Sequence, residues 1–387
     1  METLEEAYRR CRQKKGGPGS DGVTFEEIEK QGTQQYLEVI QEELKSRTYH
    51  PQRNLQRRIP KGNGKYRTLS IPTIKDRIVQ GVLKLILEPI FEADFQEGNY
   101  GSRPKKSAHD AVDKVASGIV KGHTRVIDID LESYYDNVKH HIILNKVGKR
   151  IADDEVMHLL KQIVKTSGKK GIPQGSPISP LLANLYLNDV DKMLEKAISA
   201  TRTGPYTHLT YARFMDDLVI CIDNFGRWNW LFEGVRKRLY EELEKLQLPI
   251  NMEKSQEIDL GEGESFKFLG FVYRKIITRK KKQGVLYSPD KNKRTGLLKK
   301  LRKKMRSYRS QPATKMIKEL NPIIRGWVNY FRIGNSARTF QFIKDWIYKK
   351  VRRHLMRQRK GKGFGWSRWS RDWIYEKLGL YREYNLN

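Results

Sequence analysis

Residues 210–222 read TYARFMDDLVICI. Two adjacent aspartates, Asp216 and Asp217, stand between an aromatic-containing run and a run of Val, Ile and Cys. Apolar flanks of this kind predict two strands, with the aspartates at the turn between them. A second acidic stretch, VIDIDLESYYDNV at 126–138, predicts another strand. Period-two alternation puts Asp128 and Asp130 on one face of it, while Asp136 lies past its end. If the strands neighbour one another in an antiparallel sheet, Asp130 comes beside the Asp216–Asp217 turn. Three converging carboxylates repel unless divalent cations neutralise them, and hard oxygen donors select Mg²⁺ or Mn²⁺. Two such ions can clamp the attacking and leaving oxygens of a phosphoryl transfer. The competing reading of an isolated Asp-Asp is a solvated polar turn.

The charge balance points the same way. The chain has 387 residues, with 76 Lys plus Arg against 45 Asp plus Glu, a formal net charge of +31. That excess exceeds what solubility needs, and nucleic acid is the natural counterweight. Its two cysteines, Cys11 and Cys221, are far apart, which argues against a disulfide framework and for a reducing, cytoplasmic setting. The N-terminus lacks the apolar core of a signal peptide, and no apolar run approaches the ~20 residues that span a bilayer. A soluble chain without a membrane partner is expected.

Along the chain, the pattern predicts a helix, a GGPGSDGVT turn (16–24) and one amphipathic helix from about Thr24 to Arg47. Gly62-Asn63-Gly64 reads as a hairpin turn between two short strands. Ser107 and Asp110 suit a capping box, and Leu231, Val235, Leu239 and Leu243 form a core-facing helical stripe. SFKFLGFVY (265–273) reads as a strand pair or tight bend. From Arg274 to Arg309 there are sixteen Lys or Arg and one acid, Asp290. We therefore expect a boundary near 275–290, between a mixed α/β body and a basic helical tail rich in Trp and Tyr.

Several stretches occur in an order that resembles the reverse transcriptase–maturase proteins encoded by bacterial group II introns. They are GPGSDGVT (17–24), IPKGNGKYRTLSIPTIKDRIVQ (59–80), YGSRPKKSAHDAV (100–112), VIDIDLESYYDNV, GIPQGSP (171–177), ARFMDDLVI, LPINMEKS (248–255), FKFLGF and NPIIRGWVNYFRIGNSARTF (321–340). The resemblance covers nearly the whole chain. It implies an α+β right-hand polymerase whose fingers and palm carry an antiparallel sheet, followed by an all-helical thumb/maturase domain. The expected divisions are an N-terminal extension at 1–50, fingers and palm at 51–275, and a basic thumb/maturase domain at 276–387. The expected activity is RNA-directed DNA synthesis from a primer 3′-hydroxyl with dNTPs, on an RNA template, with maturase binding of a structured intron RNA. DNA or RNA would serve as primer.

Carried over residue by residue, the resemblance implies that Asp130, Asp216 and Asp217 hold two Mg²⁺ ions, with the Leu131 carbonyl as a further ligand and Mn²⁺ able to substitute. Tyr135 falls where the family has its steric gate against a 2′-hydroxyl; the plainer reading makes Tyr134 and Tyr135 core. Lys61, Lys65 and Arg67 match cations that reach the incoming triphosphate, and Gln174 borders the nucleotide. Lys254 matches the lysine that assists the departing pyrophosphate. Phe268, Leu269 and Gly270 match the loop that grips the primer end. Arg103 and His109 belong to a motif that is either structural or meets the template.

The chain departs from the family's Tyr-Ala-Asp-Asp turn by carrying Phe214-Met215. The Phe lacks a hydroxyl near the primer, and the larger Met is expected to press on the primer-terminal sugar or the new base pair. Two cysteines do not suffice for the paired-cysteine HNH endonuclease of many relatives, so that domain is expected to be missing. Alternatives are a domesticated enzyme with its own non-coding RNA in phage defence or DNA repair, a non-catalytic RNA-binding splicing factor, and an RNA-dependent RNA polymerase. The carboxylates argue against the second, and Tyr135 with Met-Asp-Asp against the third.

Overall fold

The structure is a computed structural model that describes residues 1–62, 65–278 and 283–386, the side chains of 61, 62 and 65 excepted. It opens with three helices, α1 (Glu2–Gln13), α2 (Phe25–Gln31) and α3 (Thr33–Lys45). The single amphipathic helix expected over this stretch is broken at Gly32, whose φ of 106° no helix accommodates. Before the break, Thr24 and Glu27 form a reciprocal capping box at the start of α2. A hairpin of β1 (Leu55–Gly62) and β2 (Lys65–Ile71) follows, then α4 (Ile74–Glu92) and α5 (Ala108–Val120). Ser107 and Asp110 make the expected box, with Ser107 N–H donating to the Asp110 carboxylate at 2.8 Å.

Next come β3 (Arg125–Ile129), the short α6 (Tyr134–Asn137), α7 (His140–Gly148), α8 (Asp154–Lys165), α9 (Ser179–Tyr186) and α10 (Asn188–Thr201). The acidic stretch of 210–222 is the hairpin β4 (Leu209–Phe214) and β5 (Asp217–Ile222), in which Phe214 pairs with Asp217. After α11 (Asn229–Lys245) and β6 (Gln256–Asp259), a four-stranded sheet is complete in the order β4-β5-β3-β6. This order seats the Asp-Asp strand directly beside the Asp128–Asp130 strand. Helices α7 to α11 pack onto one apolar core with the sheet, and Leu231, Val235, Leu239 and Leu243 are all buried in it. The N-terminal helices and α4 form a second core around Phe25, Ile28, Leu37, Ile40 and Ile78.

The chain divides into two compact units, one of Met1–Ala111 with Ile127–Glu257 and the other of Val112–Val126 with Ile258–Asn387. The second contains β7 (Phe266–Phe268), β8 (Phe271–Ile277) and β9 (Gln283–Pro289), an antiparallel sheet, and then α12 (Lys291–Ser307), α13 (Ala313–Phe331) and α14 (Ala337–Gln358). The division thus falls at 257/258 rather than at 275, because β7 and β8 hydrogen-bond onward to β9. The tail begins with that strand before it becomes helical. Aromatic packing holds this unit together: Phe271 meets Phe331 at 5.0 Å and Trp327 meets Phe331 at 4.4 Å between ring centroids. Among the described residues no helix is long and apolar enough to cross a membrane.

Leu239, on the buried stripe of α11, is fully enclosed. Its truncation in Leu239→Ala leaves a cavity and should destabilise the fold by about 2–5 kcal/mol, read from urea unfolding curves.

Candidate active site

The turn at Met215-Asp216 is held from below by a buried ion pair. Arg213 and Asp191 are both completely enclosed. The Arg213 Nε donates to Asp191 Oδ1 at 2.9 Å, and its Nη2 donates to the other carboxylate oxygen. Burial works to lower the guanidinium pKa, but the Asp191 carboxylate prevails and raises it, so Arg213 stays charged. Its remaining nitrogen, Nη1, donates to the Met215 carbonyl at 2.8 Å and to Asn184 Oδ1 at 3.1 Å. The pair therefore fixes the peptide immediately before Asp216. Removing one partner of such a pair strands a buried charge, at a cost of about 3–5 kcal/mol.

The YGS segment braces the same turn from another side. Arg213 N–H donates to the Gly98 carbonyl and Tyr100 N–H to the Arg213 carbonyl, each at 2.8 Å. Asn184 Nδ2 donates to the Gly101 carbonyl at 2.6 Å. A Cβ on Gly101 would lie 2.3 Å from the Met215 amide nitrogen, so only glycine permits the approach. Met215 itself has a left-handed backbone, φ 61°, and its half-buried side chain packs against the sheet core. Part of its bulk is therefore taken up by the core and Gly101. Arg103 is structural in this arrangement: it pairs with Glu92 at 2.7 Å and donates to the carbonyls of Gln96 and Asn99.

Asp130 sits just past the end of β3, tied at both backbone atoms. Its N–H donates to Ser255 Oγ at 3.1 Å, and its carbonyl accepts from Asn251 N–H at 2.8 Å. Asp130, Leu131 and Asp216 line one cavity of about 470 Å³ together with Tyr66, Arg67, Tyr135, Gln174 and Lys254. Asp217, the first residue of β5, lies close enough to Asp128 for its charge to act on that carboxyl. Burial, Asp217 and Asp130 together push the Asp128 carboxyl up to about 7. Among the described residues no three His, Cys, Asp or Glu side chains are gathered into a ready metal cage. The donor chemistry nonetheless fits hard divalent cations, since Asp130 and Asp216 bring carboxylate oxygens to a cavity that Leu131 also lines.

The remaining expected residues fall in distinct places. Both tyrosines border the cavity, but Tyr134 is enclosed, its hydroxyl donating to the Ala183 carbonyl at 2.6 Å, whereas Tyr135 is half-buried. The Tyr135 phenol is pushed up to about 12 by burial, then by Asp216, and so stays neutral. Arg67 Nε donates to Gln174 Oε1 at 2.6 Å, joining the β2 cation to the PQGSP loop. Ser70 N–H donates to the Gln174 carbonyl at 2.8 Å, and a Cβ at Gly175 would stand 2.9 Å from the Ser70 carbonyl oxygen. The Lys254 ammonium pairs with Asp130 at 3.0 Å. The side chains of Lys61 and Lys65 lie outside the described residues, as do Asn63 and Gly64.

Phe268, Leu269 and Gly270 form the tight turn of β7 and β8 in the second unit. The Phe268 ring is buried, while Leu269 and Gly270 adopt left-handed backbones and the Leu269 carbonyl accepts from Tyr330 at 2.8 Å. The Phe268 ring is thus part of the core, while Leu269 and Gly270 stay half-buried at the turn.

Sequence reasoning missed Arg213, Asp191 and Asn184. A signal existed: Arg213 is the one charge on a strand otherwise apolar or uncharged, and a buried charge requires a partner. Nothing local identified Asp191 as that partner, 22 residues upstream.

Comparison with known proteins gives two family matches. The reverse transcriptase (RNA-dependent DNA polymerase) family matches residues 59–273, and the group II intron, maturase-specific domain matches residues 295–373. Protein YkfC of Escherichia coli K12 is 33% identical over 322 residues, 73% of this chain and 82% of YkfC. The group II intron-encoded protein LtrA of Lactococcus lactis subsp. cremoris is 32% identical over 197 residues, 48% of this chain and 31% of LtrA. A solved apo telomerase from Candida tropicalis aligns with TM-score 0.44 at 16% identity, covering 61% of this chain and 52% of that one.

The Asp128 carboxyl predicts a pH effect in metal-free buffer. Because its folded pKa is raised from 3.8 to about 7, the folded state holds this proton more tightly, and stability falls as pH climbs through that interval. Asp128→Asn should therefore melt higher than wild type at pH 7.5, the difference shrinking toward pH 4. An equal difference between variant and wild type at both pH values would refute the shift.

Proposed function

The chain belongs to the reverse transcriptases, RNA-directed DNA polymerases that depend on divalent metal, and it carries a group II intron maturase domain; on that premise we propose that the cavity around Asp130 and Asp216 is the polymerisation site. The observation that carries the reading is the convergence on one cavity of two acidic loops from neighbouring strands with the cation Arg67 and the ring of Tyr135. Asp130, Asp216 and Asp217 hold the metal ions, Mg²⁺ with Mn²⁺ as substitute, and the Leu131 carbonyl adds an oxygen. When bound, the ions polarise the primer hydroxyl and neutralise charge on the transferring phosphate.

The chain's own residues do the rest. Arg67 and Lys254, with Lys61 and Lys65 from the hairpin, draw the triphosphate of a dNTP into the cavity by electrostatics. Arg67 is held toward the site by its bond to Gln174, so a cation and a hydrogen-bonding amide meet the nucleotide as one preorganised pair. Gly175 lets the loop backbone lie against β2, which sets the position of Gln174. Lys254, paired with Asp130, is placed to offset charge on the departing pyrophosphate. Tyr135 remains a neutral ring at the cavity wall, where it excludes a sugar that carries a 2′-hydroxyl. Phe268-Leu269-Gly270 supports the primer strand through its turn backbone. RNA is the template, DNA or RNA the primer, and the basic second unit binds a structured RNA as maturase.

Primer extension on poly(rA)/oligo(dT) with dTTP and Mg²⁺ tests the assignment. Asp216→Asn with Asp217→Asn should lower the rate by at least about 1,000-fold, since the metal-borne charge stabilisation is lost; equal product from variant and wild type sinks the reading. Tyr135→Ala should raise incorporation of UTP relative to dTTP by about tenfold or more, because a steric clash worth at least 1.4 kcal/mol is removed. Unchanged sugar selection would remove the gate role from Tyr135.

A further inference from the structure

The second unit concentrates positive charge on one seam of its helices. Arg302 and Arg306 lie four residues apart on α12. Trp346, Lys350, Arg353 and Arg357 lie at intervals of four, three and four on α14, one stripe along the helix. Arg302 stands over the Trp346 ring at 5.9 Å and Lys350 over the same ring at 5.5 Å. Arg353 stands over Phe364 at 4.5 Å. Among the described residues none of these five cations has a carboxylate within ion-pair distance. The acids on the neighbouring helices are engaged elsewhere: Glu319 pairs with Lys304 at 2.7 Å and Asp345 with Arg371 at 3.7 Å.

A solvated cationic face would let such side chains spread apart into water. Here two aromatic rings hold three of them in place. Partial burial, and then Arg302, Arg353, Arg357 and Arg306, lower the Lys350 pKa. The fold thus maintains a like-charge cluster at an electrostatic cost that an anion would relieve. Guanidinium forks suit phosphate oxygens, which they bind in bidentate fashion. From Lys350 to Arg357 the stripe spans about 10 Å of helix, roughly three phosphates at the per-strand spacing of a nucleic acid duplex.

We propose that the α12–α14 seam of Arg302, Arg306, Lys350, Arg353 and Arg357 is a backbone-phosphate site for a folded RNA, preorganised by Trp346 and Phe364. It reads phosphate spacing and carries no base recognition of its own. The proposal deepens the reading of the second unit as an RNA-binding maturase domain and rests on that reading.

The test uses the full chain and a labelled RNA hairpin with a blocked 3′ end, titrated by fluorescence anisotropy across salt concentrations. The triple variant Arg302→Gln/Lys350→Gln/Arg353→Gln should bind at least about tenfold more weakly near 0.15 M salt, and its log–log salt slope should fall by about two to three. A control triple with the same charge loss elsewhere on the unit, Arg309→Gln/Lys315→Gln/Lys318→Gln, should lose no more than about threefold in affinity, since a loss under half a log unit marks only diffuse electrostatics. Wild-type affinity and slope in the seam variant, or equal losses in both triples, overturn the proposal. Should the seam triple melt early, the exposed single variant Arg302→Gln carries the same test, with an expected slope change of about one. Wild type that binds the hairpin yet extends no primer refutes the polymerase reading while leaving the seam intact. Wild type that binds the hairpin no better than a short single strand refutes the maturase reading, and the seam with it.

Discussion

The buried pair of Arg213 and Asp191 is the constraint on which the site depends. Two aspartates at the tip of an apolar hairpin repel each other and have little in their own sequence to hold them. The guanidinium answers by binding the carbonyl of Met215, the residue before Asp216, from within the core. Asn184 couples that guanidinium to Gly101, and Gly98 and Tyr100 bond to the backbone of Arg213 on its strand. A charge pair with no solvent exposure tolerates little displacement, because any lengthening of its bonds is unscreened. The acidic turn is therefore positioned by the most rigid polar group in its neighbourhood.

From that anchor the chemistry builds outward. Hydrogen bonds to Ser255 and from Asn251 set the Asp130 backbone, and Arg67 is tied to Gln174. The cavity thus gathers carboxylates, cations and Tyr135 in one place, with Lys254 paired to Asp130. Charge is also unevenly placed over the whole chain. Its net +31 is not spread evenly: the second unit leaves whole helix faces without acids, and on the α12–α14 seam aromatic rings, not carboxylates, hold the cations. Nucleic acid is drawn by the bulk charge, and metal ions by the local reversal of its sign.

Phe214-Met215 departs from the turn of the resembled family, and the structure gives Met215 a packing role. Its side chain meets the core and Gly101, and its left-handed backbone is the bend of the turn. Residue size at this position is thereby coupled to the YGS segment over a hundred residues earlier. A larger residue facing Gly101 has room because that glycine carries no side chain.

Much of this protein was legible from sequence by itself. Alternation placed Asp128 and Asp130 on one face, the Asp-Asp hairpin followed from its apolar flanks, and ordered motifs identified the polymerase family and most cavity residues. These signals are local or additive, so a one-dimensional pattern carries them. Tertiary structure alone decided the rest: that Asp191 neutralises Arg213, that the Tyr134 ring is enclosed while Tyr135 is half-buried, that the Phe268 ring is core, and that five cations share one seam. Each depends on which distant segments meet. Contact of that kind is set by packing and by the need to satisfy buried charge, neither of which a residue's neighbours in sequence can specify.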